Sequence, residues 1–253
     1  MKNEWDILNQ EADVLIEKGQ YKTAVIKAKK ALELAEQALD PDDPNILSML
    51  LKLAEIYHSL KQLKKAEPIL KRAQEIADVT LNSQSVSIND GPWSEISQEQ
   101  LEKAEPILKR LLVITEKVYG PDDVDVAVAL ERLASNYSEQ GNDTKAESLY
   151  KRALKIVEKI CGPDNPEILL YVDNLGFNYY HQGKYEKAEP LFKRSLALHE
   201  KSNALDGLLV SMSLANLAGL YRNMGKDKEA KKADKRAAEI DAKIKAKKRQ
   251  SDS

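Results

Sequence analysis

The chain has 253 residues, 42% hydrophobic and 32% charged, with a formal net charge of −2, two Phe, ten Gly and nine Pro. That near-neutral balance supplies no field for nucleic acid, no apolar run reaches the roughly 18 residues a membrane span needs, and one cysteine, Cys161, cannot close an internal disulfide. The acids in Met1-Lys-Asn-Glu-Trp-Asp6 stand where a signal peptide needs an apolar core, so the expected compartment is reducing and cytoplasmic.

In chain order, the first predicted element is a helical hairpin from about Asn3 to Leu39, turning at Gly19-Gln20-Tyr21. Asp40-Pro-Asp-Asp-Pro44 ends one helix and starts another, with Asp43 placed to cap free amides and Pro44 at a first helical position, where its missing N–H costs nothing. A second hairpin runs from Pro44 to Leu81, with Lys61 in place of the turn glycine. The small residues Ala12 and Ala54 lie 42 residues apart, a period that marks a repeat architecture.

The third copy departs from this phase. Ala66 and Ala104 are 38 apart, and Asn82 to Ile96, where a first helix belongs, is rich in turn formers with no helical stripe. A loop or a short distorted helix is expected there, with Val86, Ile88, Trp93 and Ile96 as candidates to plug the seam. Ser97 and Gln100 form a capping box for a helix ending near Tyr119. Three hairpins then follow in phase: Asp123 to Cys161, Asn165 to Ser202, and about Leu205 to Lys247. Their small residues Ala134, Gly176 and Ala218 repeat at 42.

Gly120 and Gly162 suit left-handed helix ends, Asn165-Pro166 repeats the cap, and Asn203 to Gly207 lacks the Gly-Pro-Asp of the earlier junctions. In the last helix Ala230, Ala233, Ala237, Ile240 and Ile244 form a thin stripe with Asp234 where Phe192 stands one repeat earlier, as a terminal cap requires. The expected organisation is residues 1–81 as repeats 1 and 2, and 82–96 as an irregular connector. Residues 97–242 supply the second helix of repeat 3 and repeats 4 to 6, and 243–253 a basic tail with five basic residues between Lys243 and Arg249.

Within each copy the small and large positions follow Leu-Ala-x-x-Tyr (Leu53, Ala54, Tyr57; Leu133, Ala134, Tyr137) and Ala-x-x-x-Tyr/Phe-x-x-Ala/Ser (Ala146, Tyr150, Ala153; Ala188, Phe192, Ser195). This pattern resembles the tetratricopeptide repeat. The longer period, with Lys-Ala-Glu-Pro at 65–68, 103–106 and 187–190 and Gly-Pro-Asp at 120–122 and 162–164, resembles its kinesin-light-chain-like variant. The resemblance implies an all-α, right-handed superhelical solenoid of about six hairpins, the third degenerate, whose first helices line a concave groove for peptides.

Carried over by phase, the groove positions are Asp13, Glu55, His58, Glu131, Ser135, Asp173, Phe177, Tyr180, His181 and Arg222, with Asn174 and Asn216 at the place of the family's backbone-reading asparagines. Gln10, Lys52 and Arg132 stand at that place in other copies, so the ladder is partial, and an interhelical role for the asparagines stays open. The excess of acids over the single Arg222 favours a basic or amphipathic peptide, and argues against the family's clamp for a C-terminal carboxylate.

No phosphate loop, nucleophile elbow or paired-carboxylate motif occurs, and His58, His181 and His199 lack zinc spacing, so neither enzyme activity nor a cofactor is expected. The leading reading is a non-catalytic scaffold or adaptor. A regulatory receptor whose repeats change pitch on binding a small signal molecule or peptide is the alternative, and self-association through the first and last helices is a third.

Overall fold

A computed structural model of the chain describes residues 3–41, 43–81, 98–202 and 207–251. It divides into two compact units, Met1–Gln140 and Gly141–Ser253. The connector expected at 82–96, the Ser97 half of the capping box, and most of the 203–207 junction lie outside the described residues.

Unit 1 holds α1 (Glu4–Glu17), α2 (Tyr21–Ala38), α3 (Pro44–Ser59), α4 (Leu63–Leu81), α5 (Gln98–Tyr119) and α6 (Val124–Glu139). Unit 2 holds α7 (Asp143–Cys161), a 3-10 turn (Pro166–Ile168), α8 (Leu169–His181), α9 (Tyr185–Ser202), α10 (Leu208–Asn223) and α11 (Asp227–Ser251). Every described regular element is helical, as the composition requires. The Asp43 carboxylate accepts from Asn45 N at 2.7 Å, and Asp123 and Asn165 repeat the same cap at 2.9 Å.

The predicted small residues Ala12, Ala54, Ala134, Gly176 and Ala218 are buried, as are Ala24, Ala66, Ala104, Ala146, Ala188 and Ala230 on the second helices. At Gly176 the reason is steric, because a Cβ there would lie 2.8 Å from Phe192 Cε1. The turns that follow the first helices use positive φ at Gly19, Gly141, Gly183 and Gly225, and Lys61 adopts the same conformation at φ 58°. Gly162 differs from the left-handed end expected of it. Its φ of 88° and ψ of 159° lie in a region open to glycine but outside αL, so α7 ends without a left-handed cap.

Two recurring polar links join one hairpin to the next. Tyr137, Tyr179 and Tyr221 each point a hydroxyl at the Glu of the second helix before it: Glu105 at 3.1 Å, Glu147 at 3.3 Å and Glu189 at 3.5 Å. The same carboxylates take Lys109, Lys151 and Lys193 one turn along, and Glu147 and Glu189 also bind Lys184 and Lys226 at 2.8 Å. Lysine ammonium groups then lie 5.4–5.9 Å from these tyrosine rings, within cation–π range. In the other link, Asn136 donates to Leu101 O at 3.1 Å and Asn178 to Asp143 O at 3.2 Å, each braced by a glutamine one turn on, Gln140 or Gln182. Along the second helices, Arg72–Glu36 in unit 1 and Arg194–Glu158 and Arg236–Glu200 in unit 2 form ion pairs.

The segment expected as a separate basic tail continues α11 to Ser251. Alanine, lysine and isoleucine are adequate helix formers, and positive charge at a helix C-terminus is favourable.

Candidate functional site

The positions predicted to line a groove fall into a set in each unit. In unit 1, Asp13 of α1 meets Lys52 of α3 at 2.6 Å, and the same ammonium contacts Asn9 Oδ1 at 2.6 Å and Asn9 O at 3.1 Å. Lys52 is only 3% exposed. Burial pushes its pKa below the usual value, and the Asp13 hydrogen bond and charge oppose that. The residue in phase with Asn174 and Asn216 is therefore a cation satisfied inside the protein rather than a free reader of backbone.

Glu55 accepts Arg110 at 3.0 Å and Lys117 at 3.5 Å, both from α5. Glu131 is buried and accepts from Ser135 Oγ at 2.9 Å. His58 is half-buried. Read by phase, only Arg222 balanced the acids; in the folded unit, Lys52, Arg110 and Lys117 offset two of them. The physical reason is the short third copy, since α5 packs against α3 and points second-helix cations at a first-helix carboxylate.

In unit 2 the set is aromatic and amidic. Phe177 meets Phe192 edge to face at a centroid distance of 5.0 Å, a favourable arrangement. Tyr180 packs on Tyr185 at 5.6 Å and His181 at 6.0 Å, and its hydroxyl accepts from Asn223 Nδ2 at 2.6 Å. Asn223 thus ties α10 to α8 at Tyr180, while the Phe192 ring, 6.5 Å from Tyr180 and 5.0 Å from Phe177, joins Phe177, Tyr180 and His181 into one patch. His181 and Arg222 are exposed, while Asn174, Phe177, Tyr180 and Asn216 are half-buried. Arg222 pairs with Asp234 of α11 at 2.5 Å, which explains the aspartate at the terminal copy's Phe192 position.

Asp173 turns toward α9. Burial raises its pKa, a hydrogen bond from Ser195 opposes this, and the His199 charge opposes it further. His199 is shifted down by burial, with Asp173 acting the other way. Asp173, Ser195 and His199 are the residue types of a hydrolase triad, yet the serine bonds the carboxylate directly and His199 Nδ1 has no hydrogen-bond partner, which is not the serine–histidine–carboxylate order of a triad. Cys161 Sγ lies 3.0 Å from Glu167 Oε2, and that hydrogen bond pushes the thiol pKa up, away from reactivity. Among the described residues no group of three His, Cys, Asp or Glu could hold a metal ion, and no helix is long and apolar enough to cross a membrane.

Sequence reasoning missed the Tyr–Glu–Lys and Asn–Gln links. Their signal was available in the period itself, because Glu105, Glu147 and Glu189 recur at 42 and each precedes its tyrosine by 32 residues.

The model of the tetratricopeptide repeat matches residues 6–78, 94–159 and 166–243. Among solved structures, a Podosopora anserina kinesin light chain with nearly identical TPR-like repeats is 18% identical at a TM-score of 0.50, covering 96% of this chain and 99% of its own. BtubC (BKLC) from P. vanneervenii is 18% identical at a TM-score of 0.54, covering 96% and 93%. These likenesses concern the fold. No curated protein sequence matches. With most of its length matched by the repeat model, and with the paired helices, small-residue seams and turn glycines in place, the chain belongs to the tetratricopeptide repeat family.

Proposed function

We propose that the chain is a non-catalytic interaction module, a scaffold or adaptor, that holds an amphipathic peptide or partner helix on the first-helix faces of α8 and α10. The observation that carries this reading is the patch of Phe177, Tyr180 and His181 packed about Phe192 and tied to α10 by the Asn223–Tyr180 hydrogen bond, with the amide of Asn216 on the same helix as Asn223. Aromatic rings supply contact area at low entropic cost, and accessible amides can bond a ligand backbone in both directions. Tetratricopeptide repeats as a class bind protein or peptide partners, which supports the same reading.

The acids of unit 1 add less to the choice of ligand than their number suggests, because Asp13 and Glu55 already hold cations. An amphipathic ligand with an aromatic or aliphatic anchor therefore fits better than a strongly basic one. The test is selection of a displayed peptide library on the full chain, followed by binding of the winners to a Tyr180→Ala, His181→Ala, Asn216→Ala variant of unchanged helicity. Loss of about 2 kcal/mol or more, some thirtyfold in Kd, is the expected result for removing a central aromatic anchor. Winners that bind the variant equally well place the site elsewhere.

A further inference from the structure

Each internal first helix buries one stripe on its packing face, with the second helix before it packed alongside in α3, α6 and α8. The stripe is Ile46, Met49, Leu53 and Ile56 in α3, and Val126, Ala129, Leu133 and Asn136 in α6, all at most 6% exposed. Tyr171, Leu175 and Asn178 continue it in α8. In α1 the same phase reads Glu4, Ile7, Glu11 and Val14. Among the described residues no hairpin covers it, and Ile7 and Val14 are each 47% exposed. Exposure at positions that are buried in the other first helices marks an unfilled packing face, here edged by the carboxylates of Glu4 and of Glu11, the latter also holding Lys27 of α2 at 2.8 Å.

The far end shows the complementary face. Second helices meet the next hairpin through Glu147, Lys151, Leu154 and Glu158 in α7 and through Glu189, Lys193, Leu196 and Glu200 in α9. In α11 that stripe reads Lys231, Lys235, Ala238 and Ala242, followed by Lys245, and all five are exposed. Both glutamates and the leucine are gone. None of the three lysines has a carboxylate partner among the described residues.

We infer that α1 of one copy docks on α11 of a second copy, continuing the repeat stack from chain to chain. The register follows the internal junctions, in which the start of a first helix lies beside the end of the preceding second helix, as Glu167 lies beside Cys161. Its end lies beside that helix's start, as Asn178 lies beside Asp143. In that register Glu4 comes to Lys245, Ile7 covers Ala238 and Ala242, Glu11 comes to Lys235, and Lys18 comes to Asp227. Charges are opposite at each polar step, and the small alanines leave room for the exposed isoleucine. Such a contact is heterologous, so it propagates rather than closing at a dimer. The loss of the α11 glutamates leaves the stripe from Lys231 to Lys245 with one sign of charge, which disfavours two such stripes meeting and directs them to the carboxylates of α1.

Light scattering and sedimentation of the full chain across concentration and ionic strength test this directly. The expected result is a mass that rises with concentration at low salt and falls as salt screens the contact. Lys235→Glu with Lys245→Glu removes the association, as does Glu4→Lys with Glu11→Lys, each by about tenfold or more in apparent Kd. Mixing the two variants restores it, because each then offers the other a face of opposite sign, a recovery that misfolded variants cannot give. A monomer at every concentration and salt overturns the proposal, as does association that ignores both reversals or fails to recover on mixing. This result is independent of peptide binding at α8 and α10, since none of the exchanged residues lies there.

Discussion

The tetrapeptide Lys-Ala-Glu-Pro occurs at 65–68 in unit 1 and at 187–190 in unit 2, at the same place in a second helix, with different consequences. Glu189 receives Lys193 at 2.6 Å and Lys226 at 2.8 Å and has the Tyr221 hydroxyl at 3.5 Å, so it joins α9 to α10. Glu67 is exposed, and among the described residues its carboxylate holds none of these partners. The residue 32 positions on is Glu99 instead of tyrosine, and the first helix that would carry one falls in the short third copy. A repeated motif thus has no fixed energetic value. Its contribution depends on a partner that arrives from the next hairpin.

The largest expected effect breaks that contrast most directly. Glu189→Gln removes charge-assisted bonds to two lysines and costs about 1–3 kcal/mol in the local stability of α9 and α10, whereas Glu67→Gln stays within about 0.5 kcal/mol. Amide exchange in the two helix pairs measures both. Equal effects at the two sites sink the comparison.

Acid sharpens it next. Burial alone raises the Glu147 pKa, but hydrogen bonds from Lys151, Lys184 and Gln182 outweigh that and hold it at about 2, against a usual 4.5. A carboxylate depressed in the folded state stabilises above its unfolded pKa, and loses that contribution as pH falls through the folded one. Protection of α7 and α8 is therefore expected to decline between about pH 4.5 and 2 in the native chain. In Glu147→Gln that decline is smaller, and identical pH profiles would falsify the link's ionic character.

The smallest effect concerns the turns. Gly183 precedes α9 with φ 69°, and Lys61 occupies the matching turn before α4 with φ 58°. Lys61→Gly relieves about 1 kcal/mol of left-handed strain but adds unfolded-state entropy of similar size, so the net change in melting is within about 0.5 kcal/mol and of stabilising sign. Marked destabilisation on thermal melting argues that the lysine side chain itself supports the turn.

Most of the fold was legible because its determinants are local. Periodic apolar residues three and four apart specify helices, Asp43-Pro44 and Asn165-Pro166 specify starts, and small residues at a 42-residue interval specify paired helices in a repeat. The site was legible only as positions. Phase alone indicates that Asp13, Glu55, Asp173 and Tyr180 occupy first-helix faces, and it carries no information on which of them are occupied by other side chains.

The chain by itself therefore determined its family, its helical class and the absence of catalytic motifs from its text. Tertiary structure decided which charges remain available. Lys52 finds Asn9 across 43 residues and Arg110 finds Glu55 across 55, and Tyr180 bonds Asn223 across 43. Pairings at that range depend on how one hairpin seats on another, and the four-residue shortening of the third copy brings Arg110 to Glu55 without changing any motif. The helix period is an intramolecular property of each segment, whereas ionic and hydrogen-bond balance belongs to the packed stack.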